Sequence, residues 1–124
     1  MRVTIPQAGW LRGEGTDKSF LLRTSDDKRC CIGFLCQALG VPDSSLRGQR
    51  DISTMIKNSE PDQLPGLLSW LSPCLQDHSD RNEILAAYRM NDNPSIDDEE
   101  RETTIQRLLQ PLGFELSFVA SPGA

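Results

Sequence analysis

The sequence predicts an α+β fold, a single domain over residues 1–124 in which a central buried helix packs against a small antiparallel sheet and three to four further helices. Three observations predict it. A near-continuous apolar run from Cys30 to Leu39 is stopped by Gly40-Val41-Pro42, the stop signal of a helix. The segments Val3–Ile5, Ser19–Arg23 and Phe114–Val119 have the short, apolar-rich character of strands. Leu64, Leu67, Leu68 and Leu71, and later Ile105, Leu108, Leu109 and Leu112, recur at helical spacing. A chain of 124 residues suits one core.

Taken in order, Val3-Thr4-Ile5 ends at Pro6, as an edge strand does, with residues 1–9 and 120–124 expected to fray. Trp10 and Leu11 anchor the tight Gly13-Glu14-Gly15 loop. Ser19–Arg23 reads as a strand closed by a turn at 25–28. The helix over 29–39 is apolar all round and therefore buried on both sides. Its Gly33 costs about 1 kcal/mol of helix propensity against Ala, which is most simply explained by another element approaching closely. Asp43-Ser44-Ser45 is a cap signal, and Ile52, Met55 and Ile56 make a short amphipathic turn. Helices follow over 64–72, closed by Pro73, and over 80–90, opened by the pair Asp80 and Glu83. Asn91-Asp92-Asn93-Pro94 breaks the chain. Ser95 is expected to cap a helix over 95–110, whose acidic first turns complement the helix dipole. Gly113 ends that helix, and Phe114–Val119 forms a last strand with Phe114, Leu116 and Phe118 on one face.

The net charge of -5 argues against a general binder of nucleic-acid backbone, which needs a basic surface. Residues 1–60 carry nine Lys/Arg against seven Asp/Glu, whereas residues 61–124 carry four against eleven. Nine carboxylates between Asp77 and Glu102 face only Arg81, Arg89 and Arg101. Such a run forms a solvated helix face, or an acidic docking surface for a partner with a basic groove. Arg12, Arg23, Arg29, Arg47 and Arg50 make a basic patch, or pair with the acidic second half across the core, the arrangement favoured here. No apolar run approaches the roughly 18 residues of a membrane span, and the N-terminus lacks a secretion signal. The cytoplasm, with reduced thiols, is the expected compartment.

Candidate chemistry is sparse. Cys74 and His78 stand in C-x3-H spacing, and Cys30, Cys31 or Cys36 could complete a zinc site. No paired ligand motif recurs, however, and free cysteines behave as small buried hydrophobes. A Cys30 or Cys31 nucleophile with His78 as base lacks a local signature. The Gly13-Glu14-Gly15 loop lacks the Lys-Ser/Thr of a phosphate-binding P-loop. No catalytic residue, metal ligand or cofactor is assigned.

Trp10-Leu-Arg-Gly-Glu-Gly, Phe20-Leu-Leu-Arg, Cys30-Cys-Ile-Gly-Phe-Leu-Cys, Asn91-Asp92 and Glu100-Arg-Glu102 together resemble small, largely uncharacterised proteins of tailed bacteriophages and prophages. Their hallmark is a Cys-Cys-Leu-Gly-Phe/Val stretch after a Leu-Arg strand, followed later by an Asn-Asp pair and an acidic helix. The likeness spans roughly residues 10 to 119, departing at Ile32, where Leu is usual, and in the stretch 42–65. It implies an accessory gene expressed in the host bacterial cytoplasm and transfers no site residue. Small acidic proteins in that setting bind and block host factors, anti-CRISPR proteins among them.

The resulting expectation is a non-enzymatic protein that inhibits a host protein, such as a nucleic-acid-handling or CRISPR effector. Its surface would include Asp92, Asp97, Asp98, Glu99, Glu100 and Glu102, with neither nucleic acid nor membrane as direct partner. Two alternatives stand beside it. One is a sponge for a nucleotide signal, using Arg12, Arg23 or Arg29 and the Gly13–Gly15 loop. The other is a zinc- or cysteine-dependent enzyme.

Overall fold

A computed structural model describes residues 1–15, 20–50, 52–58 and 78–120, the side chains at 53, 56, 57, 78–83 and 85 apart. Strand β1 (Arg2–Pro6) opens the chain and strand β2 (Glu115–Val119) comes at its far end. They pair in parallel, Val3 opposite Leu116 and Ile5 opposite Phe118. This corrects the antiparallel sheet expected from the sequence: among the described residues the fold is α-rich around a two-stranded parallel sheet. The reason is topological. Antiparallel neighbours are joined by a hairpin, whereas parallel ones need a long crossover, and here nearly the whole chain, helices included, is that crossover. Residues 2–9, where fraying was expected, are strand β1 and a 3-10 turn, with Val3 and Ile5 buried.

The strand expected over residues 19–23 does not form in its described part, 20–23. Leu21 and Leu22 are both buried, which a strand with one core face cannot arrange for successive residues. The backbone instead bonds outward to loops: Leu21 N donates to Gln49 O at 2.7 Å, Gly48 N to Leu22 O at 2.9 Å, and Cys30 N to Phe20 O at 3.0 Å. Only an isolated bridge between Leu22 and Arg47 remains of sheet pairing there.

Helix α1 (Cys31–Ala38) buries every residue from Cys31 to Cys36, as its all-round apolarity requires. It ends in a Schellman turn. Gly40 takes φ +89°, Gly40 N donates to Gln37 O, and Val41 N donates to Cys36 O. A Cβ at Gly33 would lie 2.0 Å from the backbone oxygen of Leu21, so the glycine lets α1 rest directly on that segment. Helices α2 (Asp43–Leu46) and α3 (Ile52–Lys57) follow, the latter burying Ile52 and Met55. The expected helix over 64–72 lies outside the described residues.

Helix α4 (His78–Asp92) is longer than the expected 80–90 and includes Asn91 and Asp92, which the sequence places in a chain break. Helix α5 (Asp98–Leu109) begins later than expected. Its cap is Asp97, whose carboxylate accepts from Glu100 N at 2.8 Å, in place of Ser95. Ser95 N is instead held by Asn93 Oδ1 at 2.8 Å, a local Asx turn that delays the helix. Ile105 and Leu109 of α5 are buried, and a 3-10 turn through Pro111 leads to Gly113 at φ +94° and then β2. Helix α1 packs on β1 and α4, and α5 packs on α4 and β2. Trp10 lies in the core with its ring 4.6 Å from that of Phe118.

Candidate functional site

The six carboxylates singled out in the sequence are brought together at the corner between α4 and α5, in different states. Asp98 is tied to two arginines. Arg12 grips it in a fork, Nε to Oδ1 at 3.0 Å and Nη2 to Oδ2 at 2.8 Å, and Arg101 Nη1 donates to Oδ1. The Arg12 hydrogen bonds, against some desolvation, hold the Asp98 carboxyl below its ordinary value. Asp97 is consumed as the helix cap, and Glu102 accepts from Gln7 Nε2 at 2.8 Å. Asp92 is half-buried, receiving Asn91 Nδ2 at its carboxylate and Gly15 N at its carbonyl. Glu99 and Glu100 are exposed, with no ion pair among the described residues.

The arginines of the first half divide in the same way. Arg12 reaches across to Asp98, as the favoured pairing expects. Arg23, Arg29 and Arg47 do not cross: they pair within their own half, with Glu14 and Asp26, with Asp43, and with Asp27. Arg50 lies over the Phe20 ring at 5.3 Å. Three of the first half's cations are thus neutralised locally, and Glu99 and Glu100 of α5 are left without an ion pair among the described residues.

Two residues to which sequence reasoning gave no site role, though both lie in the motifs that carry the resemblance, organise this corner. Asn91 is fully buried. Its Oδ1 accepts from Trp10 Nε1 at 2.8 Å and Cys31 N at 3.0 Å, and its Nδ2 donates to Leu11 O at 2.9 Å. Arg101 is only 4% exposed; its Nη2 donates to Asn93 O at 2.6 Å and Ile96 O at 3.0 Å, fastening the α4–α5 turn. A lone arginine three residues after Asp98, inside an otherwise acidic run, was the available signal.

The three described cysteines give no nucleophile. Cys30 and Cys31 are completely buried and Cys36 nearly so, all three as free thiols. Desolvation pushes the Cys30 thiol up to about 12, backbone N–H groups at the start of α1 offsetting only part of it. Burial likewise drives Cys31 and Cys36 upward. Whatever activation the start of α1 offers a Cys30 or Cys31 nucleophile is therefore overwhelmed by loss of solvent. Cys74 and the His78 side chain lie outside the described residues, among which no cluster of three metal-binding side chains occurs.

An open cavity of about 330 Å³ lies between the Trp10–Glu14 segment, Lys28 and the first turn of α5. Among the described residues no helix is long and apolar enough to cross a membrane. Comparison with family models, with curated proteins and with solved structures finds no match.

Proposed function

We propose that the protein is a non-enzymatic phage accessory protein that binds and inhibits a host protein through the acidic corner at the start of α5. The partner is one with a positively charged groove, such as a nucleic-acid-handling or CRISPR effector. The observation that carries this reading is the division of labour among the carboxylates. Asp97, Asp98 and Glu102 are engaged within the fold, whereas Glu99 and Glu100 stand exposed and unpaired among the described residues on a turn held by Arg101. Negative charge on a fixed scaffold favours rapid, salt-sensitive capture of a basic surface. Among the described residues, burial leaves the thiols of Cys30, Cys31 and Cys36 inaccessible for chemistry.

The test is affinity capture from host lysate with the wild type and with Glu99→Lys/Glu100→Lys, which spares the groups that hold the corner together. Recovery of the same basic protein should fall at least tenfold in the variant and weaken with added salt. Undiminished recovery by the variant refutes the acidic-corner reading.

A further inference from the structure

We infer that the outer edge of β1 is a docking strand for a second copy of this chain, the two β1 strands pairing antiparallel about a two-fold axis at Val3. This goes beyond the acidic corner and does not depend on it.

The parallel register decides which main-chain groups are left over. Glu115 N donates to Met1 O at 2.8 Å, and Arg2 stands opposite Glu115. Main-chain groups alternate between the two edges of a strand, so Met1, Val3 and Ile5 serve β2, whereas the N–H and C=O of Arg2 and Thr4 point away from it. Both residues are exposed, and no described residue bonds their main-chain groups on that side. The far edge of β2 is treated differently: Gln106 Nε2 of α5 donates to Leu116 O at 3.0 Å. One edge of the sheet is thus guarded by a helix side chain, and the other presents a row of donors and acceptors, the template on which a further strand forms.

That row is complementary to itself in one register. With the two Val3 residues opposite each other on the axis, Arg2 N–H donates to the second copy's Thr4 carbonyl and Thr4 N–H to the second copy's Arg2 carbonyl, each bond repeated by the symmetry. A register centred on Thr4 sets Arg2 against Pro6, which has no N–H and caps the 3-10 turn Gln7–Gly9, so the Arg2 carbonyl goes unmatched. Charge agrees with the first register. Arg2 Nε lies 3.5 Å from Glu115 Oε2, and Thr4 stands opposite Ser117. Each row across the joined sheet therefore reads Glu115, Arg2, Thr4, Ser117, with one charge of each sign and no like charges opposite. Met1, a large hydrophobic left 57% exposed, falls opposite the second copy's Ile5. The pairing turns a two-stranded sheet into a mixed sheet of order β2-β1-β1-β2, within the usual size of about 4–6 strands. The contact is short, which places the dimer in the weak, transient class.

The experiment is sedimentation equilibrium of the full chain from about 10 µM to about 1 mM at constant ionic strength, with residue-resolved amide exchange at both ends of the range. The mass should rise from 13.8 kDa towards twice that value, and exchange at the Arg2 and Thr4 amides should slow as it does. Thr4→Lys, which sets like charges opposite in the dimer, and Thr4→Pro, which removes an edge donor, should each weaken association about fivefold or more. Circular dichroism of the dilute variants should match the wild type, because the monomer uses neither the exposed Thr4 side chain nor its N–H. Thr4→Glu should strengthen association by facing the second copy's Arg2, although it adds to a net charge of -5. Glu99→Lys/Glu100→Lys should associate as the wild type does. A mass fixed at 13.8 kDa, the same response from Thr4→Lys and Thr4→Glu, or unprotected Arg2 and Thr4 amides in the dimer overturns the inference. A monomer whose edge amides are protected only by an added extended peptide also overturns it, assigning the edge to a foreign strand. A monomeric outcome leaves the acidic-corner reading untouched.

Discussion

Asn91 joins three segments through one amide. Its oxygen serves Trp10 and the first turn of α1, and its nitrogen serves Leu11. Replacing it with Ala leaves two buried donors and a carbonyl without partners, each worth about 1–3 kcal/mol. Asn91→Ala should therefore lower the urea unfolding free energy by about 2–5 kcal/mol, and a loss under 1 kcal/mol would contradict this role. Gly33→Ala should destabilise despite improving helix propensity by about 1 kcal/mol, since its methyl meets the Leu21 carbonyl at 2.0 Å. A net loss of at least about 2 kcal/mol is expected from such overpacking, read from thermal or urea unfolding. The two residues differ in legibility. Gly33 announces itself, because a glycine inside a buried apolar helix has few reasons but close approach. Asn91 sits in Asn-Asp-Asn-Pro, whose local chemistry spells a turn, while its partners lie 60 to 81 positions away.

At the level of the element, α5 shows why its acidic beginning has two kinds of carboxylate. A cap must sit just before the helix and a fork partner must face the neighbouring segment, so the exposed Asp97 bonds back to the helix's own backbone and Asp98 turns to Arg12, while Glu99 and Glu100 turn to solvent. The helical period in the sequence foretells the buried stripe of Ile105 and Leu109, but Ser95 and Asp97 are both good caps, and only the Asx turn at Asn93 decides between them. The ion pairs set an acid dependence. Arg23, through its side-chain hydrogen bond, holds Asp26 at about 2, and Arg12 holds Asp98 below its ordinary value. Unfolded Asp titrates near 3.9, so this stabilisation is present above about pH 4 and is lost as pH falls through the folded values. Unfolding measured from pH 6 down to 2.5 should show stability declining below about pH 4, and Asp98→Asn should flatten that decline.

For the molecule as a whole, the two strands at opposite ends of the described chain carry more of the structure than their length suggests. Val3 and Ile5 are buried against Leu116 and α1. Burying one such side chain contributes about 1.5–3 kcal/mol, so deleting residues 1–6 should cost about 3–6 kcal/mol. Circular dichroism should show loss of a cooperative transition or a midpoint lowered by more than 10 °C. The strands themselves were legible as alternating segments, but their partnership was not. A period of two specifies a face and says nothing of which edge it meets, and the leucines at 21 and 22 offered a nearer, false partner.

The parallel pairing also sets a timetable for biosynthesis. Over a hundred residues separate Pro6 from Glu115, and at about 5–20 residues per second the ribosome needs roughly 5–20 s to make them. Throughout that interval the first strand has no partner strand, so the sheet closes only once β2 has been made. Its apolar face, Val3 and Ile5, is left for that time to chaperones or to transient contacts with α1.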